Sequence, residues 1–361
     1  MRWLRQKRDQ GANISHVILC QRAELFAQEL GQSDWKASVG WSQRLCKRHG
    51  VKCGNIFGEA QAADFEGKEE WIQDVWPDIC KNYSPGNIWN ADETDLHYRM
   101  LPGKTLKFSD DMSKGGKKNK ERVTALLCCS MLGEKYKPFI IGKSSKPRCF
   151  RGVDISKLVK YSPQKSSWMT SDLFGIWLKE LNRKMAKEKR SILLTVDNAS
   201  CHNSGIELEL SNVKVQFLPK NTTSIMQPLD MGIIAATKVF YRKKMCRAMI
   251  TELDKNALAN ARDLSKKITL LQGIEFFVEA WNEVSVATIA NCWRKSGLCF
   301  GPEQQEEVVE MDIALDNEIY AQIDKEDFDR WVNCDANLLS SPSLCFYSPK
   351  LSYHPVTIIG L

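Results

Sequence analysis

The chain has no hydrophobic run long enough to cross a membrane. The longest apolar stretches of its 361 residues, such as residues 123–132, have the length of a buried strand, whereas a membrane-spanning helix needs about 20 residues. The first ten residues are charged and no apolar segment follows them, so we predict no secretory signal. These absences argue against a membrane protein and against a secreted one.

The sequence also lacks paired cysteines. None of its 13 cysteines forms a C-x-x-C pair, and Cys201-His202 has no second pair at the spacing of a zinc site. The adjacent Cys128 and Cys129 lie in an apolar run, which is typical of small core residues. We therefore expect no structural zinc and no disulfide scaffold, but free thiols in a reducing compartment, either nucleus or cytosol.

Charge is distributed unevenly along the chain. Residues 1–58 hold ten Lys and Arg against four Asp and Glu, and residues 302–361 hold three against twelve. Because the net charge of the whole chain is +7, the middle is strongly basic as well. A basic body suits a nucleic-acid partner, since Lys and Arg displace counterions from phosphates. The alternative is a charged surface that only keeps the protein in solution.

Two predicted helices near the N-terminus favour a helix-turn-helix. The first begins at Ser15, a helix-capping residue, and ends at Gly31. Its apolar stripe follows helical spacing and consists of Ile14, Val17, Ile18 and Leu25. The second runs from about residue 37 to residue 49 and ends before Gly50. An ordinary helical hairpin without a DNA partner is the alternative.

The second of these helices carries the candidate DNA contacts. In a helix-turn-helix this element enters the major groove. We predict contacts from Ser38, Trp41, Arg44, Lys47 and Arg48. Trp41 and Leu45 are four residues apart, so they also form an apolar stripe that packs the helix down.

Three aspartates stand where an apolar run ends or a helix begins. They are Asp92 in IWNADETDL, Asp197 in SILLTVDNASCH and Asp230 in LPKNTTSIMQPLDMGII. Converging carboxylates repel one another unless a divalent cation neutralises them, and hard oxygen ligands suit Mg²⁺ or Mn²⁺. Two such ions about 4 Å apart activate water and stabilise a leaving oxygen in phosphodiester chemistry. The three residues are therefore predicted to be catalytic and to bind metal.

The order of predicted elements places these aspartates in a fold. A strand near residue 88, a hairpin at 123–132 and 137–142, a helix at 168–185, strands at 192–196 and 213–218, and a helix from about Pro228 follow one another. This is the order of an RNase H-like sheet, whose metal-binding carboxylates lie on the first strand, the fourth strand and the helix after the fifth. We predict an α/β RNase H-like (DDE) catalytic domain preceded by an all-α helix-turn-helix module.

Each site residue has a simpler interpretation when it is taken alone. Asp197 before an asparagine is a common turn former, and Asp230 near a helix start complements the helix dipole. Glu93 points to the opposite face of its strand from Asp92, so we do not expect it to share the metal. His202 is predicted to be an exposed turn residue, with a contact to DNA phosphate or the attacking water as the alternative.

The three aspartate segments resemble the three blocks of the pogo/Tigger DDE transposase family. Residues 11–30 and 37–50 resemble that family's second, centromere protein B-type helix-turn-helix, and residues 280–298 resemble its C-terminal helices. The resemblance covers about residues 1–300. It implies an RNase H-like domain, double-stranded DNA as partner, a nuclear location, and catalytic roles for Asp92, Asp197 and Asp230.

Two positions depart from the family pattern, and one family segment has no counterpart. Asp95 stands where the family usually has glycine, which adds an acid close to the site. Met231 stands where it usually has glutamine. The family's first helix-turn-helix has no counterpart before Gly11, so the chain is interpreted as a fragment or a truncated gene product.

Five segments and two hypotheses follow. The segments are a helix-turn-helix module at 1–58, a linker at 59–84, the DDE domain at 85–250, its C-terminal helices at 251–300, and an acidic, partly disordered tail at 301–361. The preferred hypothesis is a nuclear, transposase-derived DNA-binding protein whose metal site is vestigial or structural. The alternative is an active Mg²⁺-dependent endonuclease and strand transferase, with homodimerisation left open in both cases.

Overall fold

The computed structural model describes residues 1–10, 12, 14–51, 64–101, 120–203, 208–255 and 267–298. The chain divides into two compact units, Met1–Ala63 and Asp64–Leu361. All of the acidic tail predicted at 301–361 lies outside the described residues. Within the described part, no helix combines the length and apolar character that a membrane span requires.

In the described part of the first unit, three helices form. They are α1 (Arg2–Asp9), α2 (His16–Glu29) and α3 (Val39–Arg48). The Ser15 hydroxyl accepts a hydrogen bond from the Ile18 amide at 3.3 Å, and the Ser38 hydroxyl accepts one from the Trp41 amide at 3.1 Å. Both predicted helices therefore begin at a capping serine.

Polar contacts fix α3 against α2. The Glu24 carboxylate on α2 accepts a hydrogen bond from the Ala37 amide at 2.9 Å, just before α3 begins. The Ser42 hydroxyl lies 2.9 Å from Nδ1 of His16 and donates to the Val39 carbonyl at 2.8 Å. Because Ser42 is fully buried, its hydroxyl needs both partners.

The face of α2 that packs into this unit is not the predicted one. Leu19, Cys20 and Ala27 are buried, whereas three members of the predicted stripe are largely exposed: Val17 at 58%, Ile18 at 41% and Leu25 at 48%. The prediction was wrong because α2 carries apolar residues on more than one face. Helical spacing identifies such a stripe but does not decide which one faces the core.

Residues 65–80, predicted to belong to a linker at 59–84, are helical. Helix α4 (Phe65–Glu70), a π-helical turn (Trp71–Val75) and α5 (Trp76–Cys80) follow directly on one another. The Asp64 carboxylate caps α4 by accepting a hydrogen bond from the Gly67 amide at 2.9 Å. Trp76 and Cys80 are buried in the core of the second unit. The linker prediction is therefore corrected over residues 65–80.

The second unit is built on a six-stranded sheet with the order β4-β3-β2-β1-β5-β6. Strand β1 is antiparallel to β2, β2 is antiparallel to β3, and β1–β5, β5–β6 and β3–β4 are parallel pairs. The strands are β1 (Ile88–Leu96), β2 (Val123–Ser130), β3 (Phe139–Gly142), β4 (Lys160–Pro163), β5 (Ile192–Val196) and β6 (Val213–Phe217).

Without β4, this order and these directions are those of the RNase H-like sheet, so the predicted fold class is confirmed. Strand β4 is the addition that the sequence did not reveal. It has only four residues, which are half-buried or exposed, so it shows neither an apolar run nor a clear alternation.

Each face of the sheet has its own apolar core. Helix α6 (Ser171–Lys187) covers one face with Phe174, Trp177 and Leu178. The other face packs against Phe277, Trp281 and Trp293. These residues belong to the helical layer of α7 (Thr223–Met226), α8 (Ile234–Lys255), α9 (Leu270–Glu283) and α10 (Val286–Ser296).

The adjacent cysteines show how the strands divide between these cores. Cys128 packs with the α6 face, and Cys129 packs with the opposite face. Successive strand residues point to opposite sides, so two neighbouring apolar residues serve two cores. Both cysteines are buried, as predicted.

The predicted hairpin turn supplies a test of this packing. Gly133 has φ +86°, and a Cβ there would lie 2.9 Å from Cγ1 of Val286 at the start of α10. Gly152 has a similar φ of +79° with open space around it. We expect Gly152→Ala to cost about 1 kcal/mol of unfolding free energy through backbone strain, and Gly133→Ala to cost about 1–3 kcal/mol more through overpacking.

Urea unfolding of the two variants measures this difference. Equal decreases in unfolding free energy for Gly133→Ala and Gly152→Ala would contradict the close approach of the hairpin to α10.

Candidate active site and DNA-contact helix

Asp92 and Asp197 lie at the same edge of the sheet because β1 and β5 run parallel. Asn90 on β1 is paired in register with Thr195 on β5, and each aspartate follows its paired residue by two positions. Asp92 is still within β1, whereas Asp197 comes directly after β5 ends. Their backbone positions therefore match the first and fourth strands of the predicted fold.

Asp230 reaches this edge from the helical layer. It lies in a π-helical turn, Leu229–Ile233, that leads into α8. Gly232 in this turn has φ +144°, a conformation that favours glycine, so the chain bends between Asp230 and α8. Met231, which replaces the usual glutamine, is buried in the apolar core. Asp230 is itself exposed.

The three carboxylates interact electrostatically. Burial raises the pKa of Asp92 well above its ordinary value, and the carboxylates of Asp230 and Asp197 raise it further. Like charges near one another resist ionisation together. Asp92 is only 8% exposed, and a nearby cation would favour the ionisation of its carboxyl group.

This donor set fits Mg²⁺ or Mn²⁺. Carboxylate oxygens are the ligands that these hard ions prefer, and a cation would offset the repulsion that the carboxylates of Asp230 and Asp197 exert on Asp92. The three aspartates do not form a group whose oxygens all lie within 4.8 Å of one another. The set is therefore spread more widely than the ligands of one compact ion site. The metal-binding role of Asp92, Asp197 and Asp230 stays a prediction.

His202 is fully buried between two carboxylates, so its predicted exposure was wrong. Its Nδ1 lies 2.8 Å from Oδ1 of Asp197, and its Nε2 lies 3.2 Å from Oε2 of Glu93. Its ring also packs against Phe174, with centroids 4.4 Å apart and the ring planes tilted by 38°. Ionised carboxylates only accept hydrogen bonds, so both ring nitrogens must donate and the ring is an imidazolium.

The charge balance around His202 agrees with this assignment. Burial opposes the charged ring, but the Glu93 carboxylate and the hydrogen bond to Asp197 outweigh it and raise the pKa of His202 well above its ordinary value. Burial likewise opposes ionisation of Asp197, yet the hydrogen bond and charge of His202 hold the pKa of Asp197 below its usual range. Asp197 is therefore kept ionised, and the side chain of Glu93 pairs with His202.

Glu93, Cys201 and His202 also place their ligand atoms within 4.8 Å of one another. Two observations argue against a metal in this group. The nitrogen of His202 that faces Glu93 already donates to that carboxylate, and burial raises the pKa of the Cys201 thiol, which keeps it protonated. The group is the set of partners that holds His202.

Asp95, the additional acid, is neutralised by its own partners. It is fully buried, with Oδ2 at 2.7 Å from Nη1 of Arg122 and Oδ1 accepting a hydrogen bond from the Thr124 hydroxyl at 2.7 Å. Arg122 also stacks over Trp168, 4.2 Å from the ring centroid. The acid noted in the sequence is thus part of a buried ion pair.

Helix α3 presents the predicted basic residues to solvent. Arg44, Lys47 and Arg48 are exposed, whereas Trp41 is half-buried and packs edge-on against Trp35 with centroids 5.1 Å apart. Ser38 caps the helix with its hydroxyl. Trp41 and Ser38 thus have structural tasks, and contact of any of these residues with DNA stays a prediction.

The sequence pointed to the aspartates but missed the partners of His202. The sequence signal for this contact was that His202 follows Asp197 by five residues. A short turn between them brings the two side chains within hydrogen-bond distance. Glu93 gave a weaker signal, because only pairing of β1 with β5 brings it near His202.

Two family models match the chain. A model described as the Tc5 transposase DNA-binding domain matches residues 1–55. A model described as the DDE superfamily endonuclease matches residues 120–293. The first covers α1 to α3, and the second covers β2 to β6 and most of the helical layer.

Curated relatives agree with these matches. Tigger transposable element-derived protein 4 of Mus musculus is 30% identical over 318 residues, which are 87% of this chain and 60% of the relative. Tigger transposable element-derived protein 7 of Homo sapiens is 32% identical, over 81% of this chain and 57% of the relative. Among solved structures, a Mos1 transposase paired-end complex with the left transposon end has 13% identity and a TM-score of 0.40, covering 83% of this chain and 79% of its own.

The chain spans somewhat more than half the length of these curated relatives. Its helix-turn-helix and DDE matches lie in the order that the sequence predicted. The chain is thus similar to Tigger transposable element-derived proteins and matches both the Tc5 transposase DNA-binding domain and the DDE superfamily endonuclease.

Proposed function

We propose that this chain is a nuclear protein of transposase descent that binds double-stranded DNA through its first unit. The observation that carries the proposal is the exposed basic set on α3, Arg44, Lys47 and Arg48, on a helix whose other side is anchored by Trp41 and Ser42. A rigid helix with cations on its free face is the geometry that enters a major groove. The Tc5 DNA-binding match over residues 1–55 supports the same partner.

The nuclear location belongs to this proposal, because chromosomal DNA is the partner that such a helix requires. Binding as a homodimer stays a prediction from the sequence.

Removing the three basic side chains of α3 is expected to lower both the affinity for duplex DNA and the salt dependence of that binding. The variant Arg44→Ala, Lys47→Ala, Arg48→Ala should flatten the slope of log K against log salt by about 0.9 for each phosphate that it no longer neutralises. Fluorescence anisotropy with a duplex at several salt concentrations measures the slope. A matched control variant replaces three exposed lysines of the second unit with alanine: Lys165, Lys179 and Lys187. This variant should have the same salt slope as wild type. Equal slopes in wild type and the α3 variant would refute α3 as the contact.

A second candidate function is metal-dependent cleavage of DNA phosphodiesters. The observation that favours it is Asp92, whose burial and neighbouring carboxylates call for a cation. Asp92, Asp197 and Asp230 would hold Mg²⁺ or Mn²⁺. Bound there, such ions would activate water and stabilise the leaving oxygen. His202 keeps Asp197 ionised and oriented, and Arg122 removes the excess charge of Asp95.

Plasmid nicking separates the two candidates. If the second holds, wild type nicks supercoiled DNA with MgCl₂ or MnCl₂, and the nicking rate of Asp197→Ala falls by at least about 100-fold because a metal ligand is removed. Asp172→Ala removes an exposed carboxylate in the first turn of α6 and should nick like wild type. DNA binding without nicking by wild type would leave only the first candidate.

A further inference from the structure

A fully buried polar cluster joins the three elements that carry the aspartates. Its members are Asn90 on β1, Thr195 on β5 and Gln227 shortly before the turn of Asp230, and none of them has exposed surface. None of the three is among the predicted metal ligands. A buried cluster of this kind is costly unless every polar group has a partner.

Asn90 is the centre of the cluster. Its side-chain amide nitrogen donates to the Thr195 carbonyl at 3.0 Å and hydroxyl at 3.1 Å, and to Oε1 of Gln227 at 2.8 Å. Its side-chain oxygen accepts a hydrogen bond from the Leu229 amide at 3.1 Å. One side chain thus binds β5 and both ends of the segment Gln227–Leu229.

Thr195 and Gln227 return contacts to β1. The Thr195 hydroxyl donates to the Trp89 carbonyl at 3.1 Å, and the side-chain amide of Gln227 donates to the Ala91 carbonyl at 3.2 Å. The acceptor carbonyls are those of the residues on either side of Asn90. The cluster is therefore closed, with each of its three side chains bonded to another element.

The cluster stands a fixed short distance from each aspartate along the chain. Asn90 precedes Asp92 by two residues, Thr195 precedes Asp197 by two, and Gln227 precedes Asp230 by three. Leu229, whose amide Asn90 binds, is the immediate neighbour of Asp230. A slip of any one element by one residue would break several of these hydrogen bonds at once.

We propose that Asn90, Thr195 and Gln227 are positioning residues that fix the placement of Asp92, Asp197 and Asp230 relative to one another. The inference rests on the second candidate function for its consequence, since metal binding needs the three carboxylates at set places. Apolar contacts alone hold the helical layer on the sheet without fixing its register, because they have no direction. The hydrogen bonds of the cluster supply that direction.

The cluster ties the turn of Asp230 to β1. The Leu229 amide donates to the Asn90 side chain, and the Gln227 side chain donates to the Ala91 carbonyl. Without these bonds, the turn would be able to move away from β1. Surrounding groups that orient metal ligands typically contribute about 10- to 100-fold to metal affinity.

Two substitutions remove hydrogen bonds with little change of shape. Gln227→Met deletes both amide contacts, and Thr195→Val deletes the hydroxyl. Thr195→Ser keeps the hydroxyl and serves as the conservative rescue. Thr237→Val is the matched control, because Thr237 is also fully buried and donates to the Ile233 carbonyl at 2.9 Å, away from the cluster.

Two measurements are made on each variant of the whole chain. Calorimetric titration with MnCl₂ alone gives metal affinity without DNA. Hydrogen–deuterium exchange gives local opening for peptides spanning residues 88–96, 192–198 and 223–233, with the α6 segment 171–187 as reference. We expect Gln227→Met and Thr195→Val to weaken Mn²⁺ binding about 10- to 100-fold and to speed exchange in the three segments only. Thr195→Ser and Thr237→Val should match wild type in both.

The outcomes are distinguishable from failure of the second candidate function. Unchanged Mn²⁺ affinity and exchange in Gln227→Met and Thr195→Val would overturn the positioning role, as would faster exchange spread equally over the α6 reference. If wild type binds no Mn²⁺, the second candidate function fails. Hydrogen–deuterium exchange alone then tests the positioning role. Faster local exchange then supports the role, and unchanged exchange overturns it. If Gln227→Met does not fold, the Thr195→Val and Thr195→Ser pair carries the test.

Discussion

The parallel pairing of β1 with β5 is the interaction on which the rest of the second unit depends. It brings the ends of two buried strands to one edge, and Asp92 and Asp197 lie there as a consequence. Glu93 meets His202 across the same pairing. The cores on the two faces hold the sheet between α6 and the helical layer, and the carboxylates lie at the edge of the sheet, outside both apolar cores.

Acidic residues at this edge differ in how their charge is balanced. Glu93 and Asp197 share the imidazolium of His202, and Asp95 is paired with Arg122. Asp92 is the residue whose ionisation its carboxylate neighbours oppose. A cation would therefore offset the repulsion at Asp92. Burial also raises the pKa of Asp95, but Thr124 and Arg122 act against this shift.

Much of the fold followed from the sequence because its signals were local. The strands around Asp92 and before Asp197, the serine cap of α2, and the adjacent cysteines of β2 are all set by neighbouring residues. Failures occurred where tertiary contacts decide. The burial of His202 depends on Glu93, 109 positions earlier. The face of α2 depends on its packing partners, and residues 65–80 depend on Trp76 reaching a distant core. The short strand β4 is formed by pairing with β3 and has little pattern of its own.

Anomalous diffraction from crystals soaked in MnCl₂ tests the central claim most directly. The account predicts manganese density against the carboxylates of Asp92, Asp197 and Asp230, with His202 still between Asp197 and Glu93. Manganese bound instead by Glu93, Cys201 and His202, or no manganese density near Asp92, would contradict it.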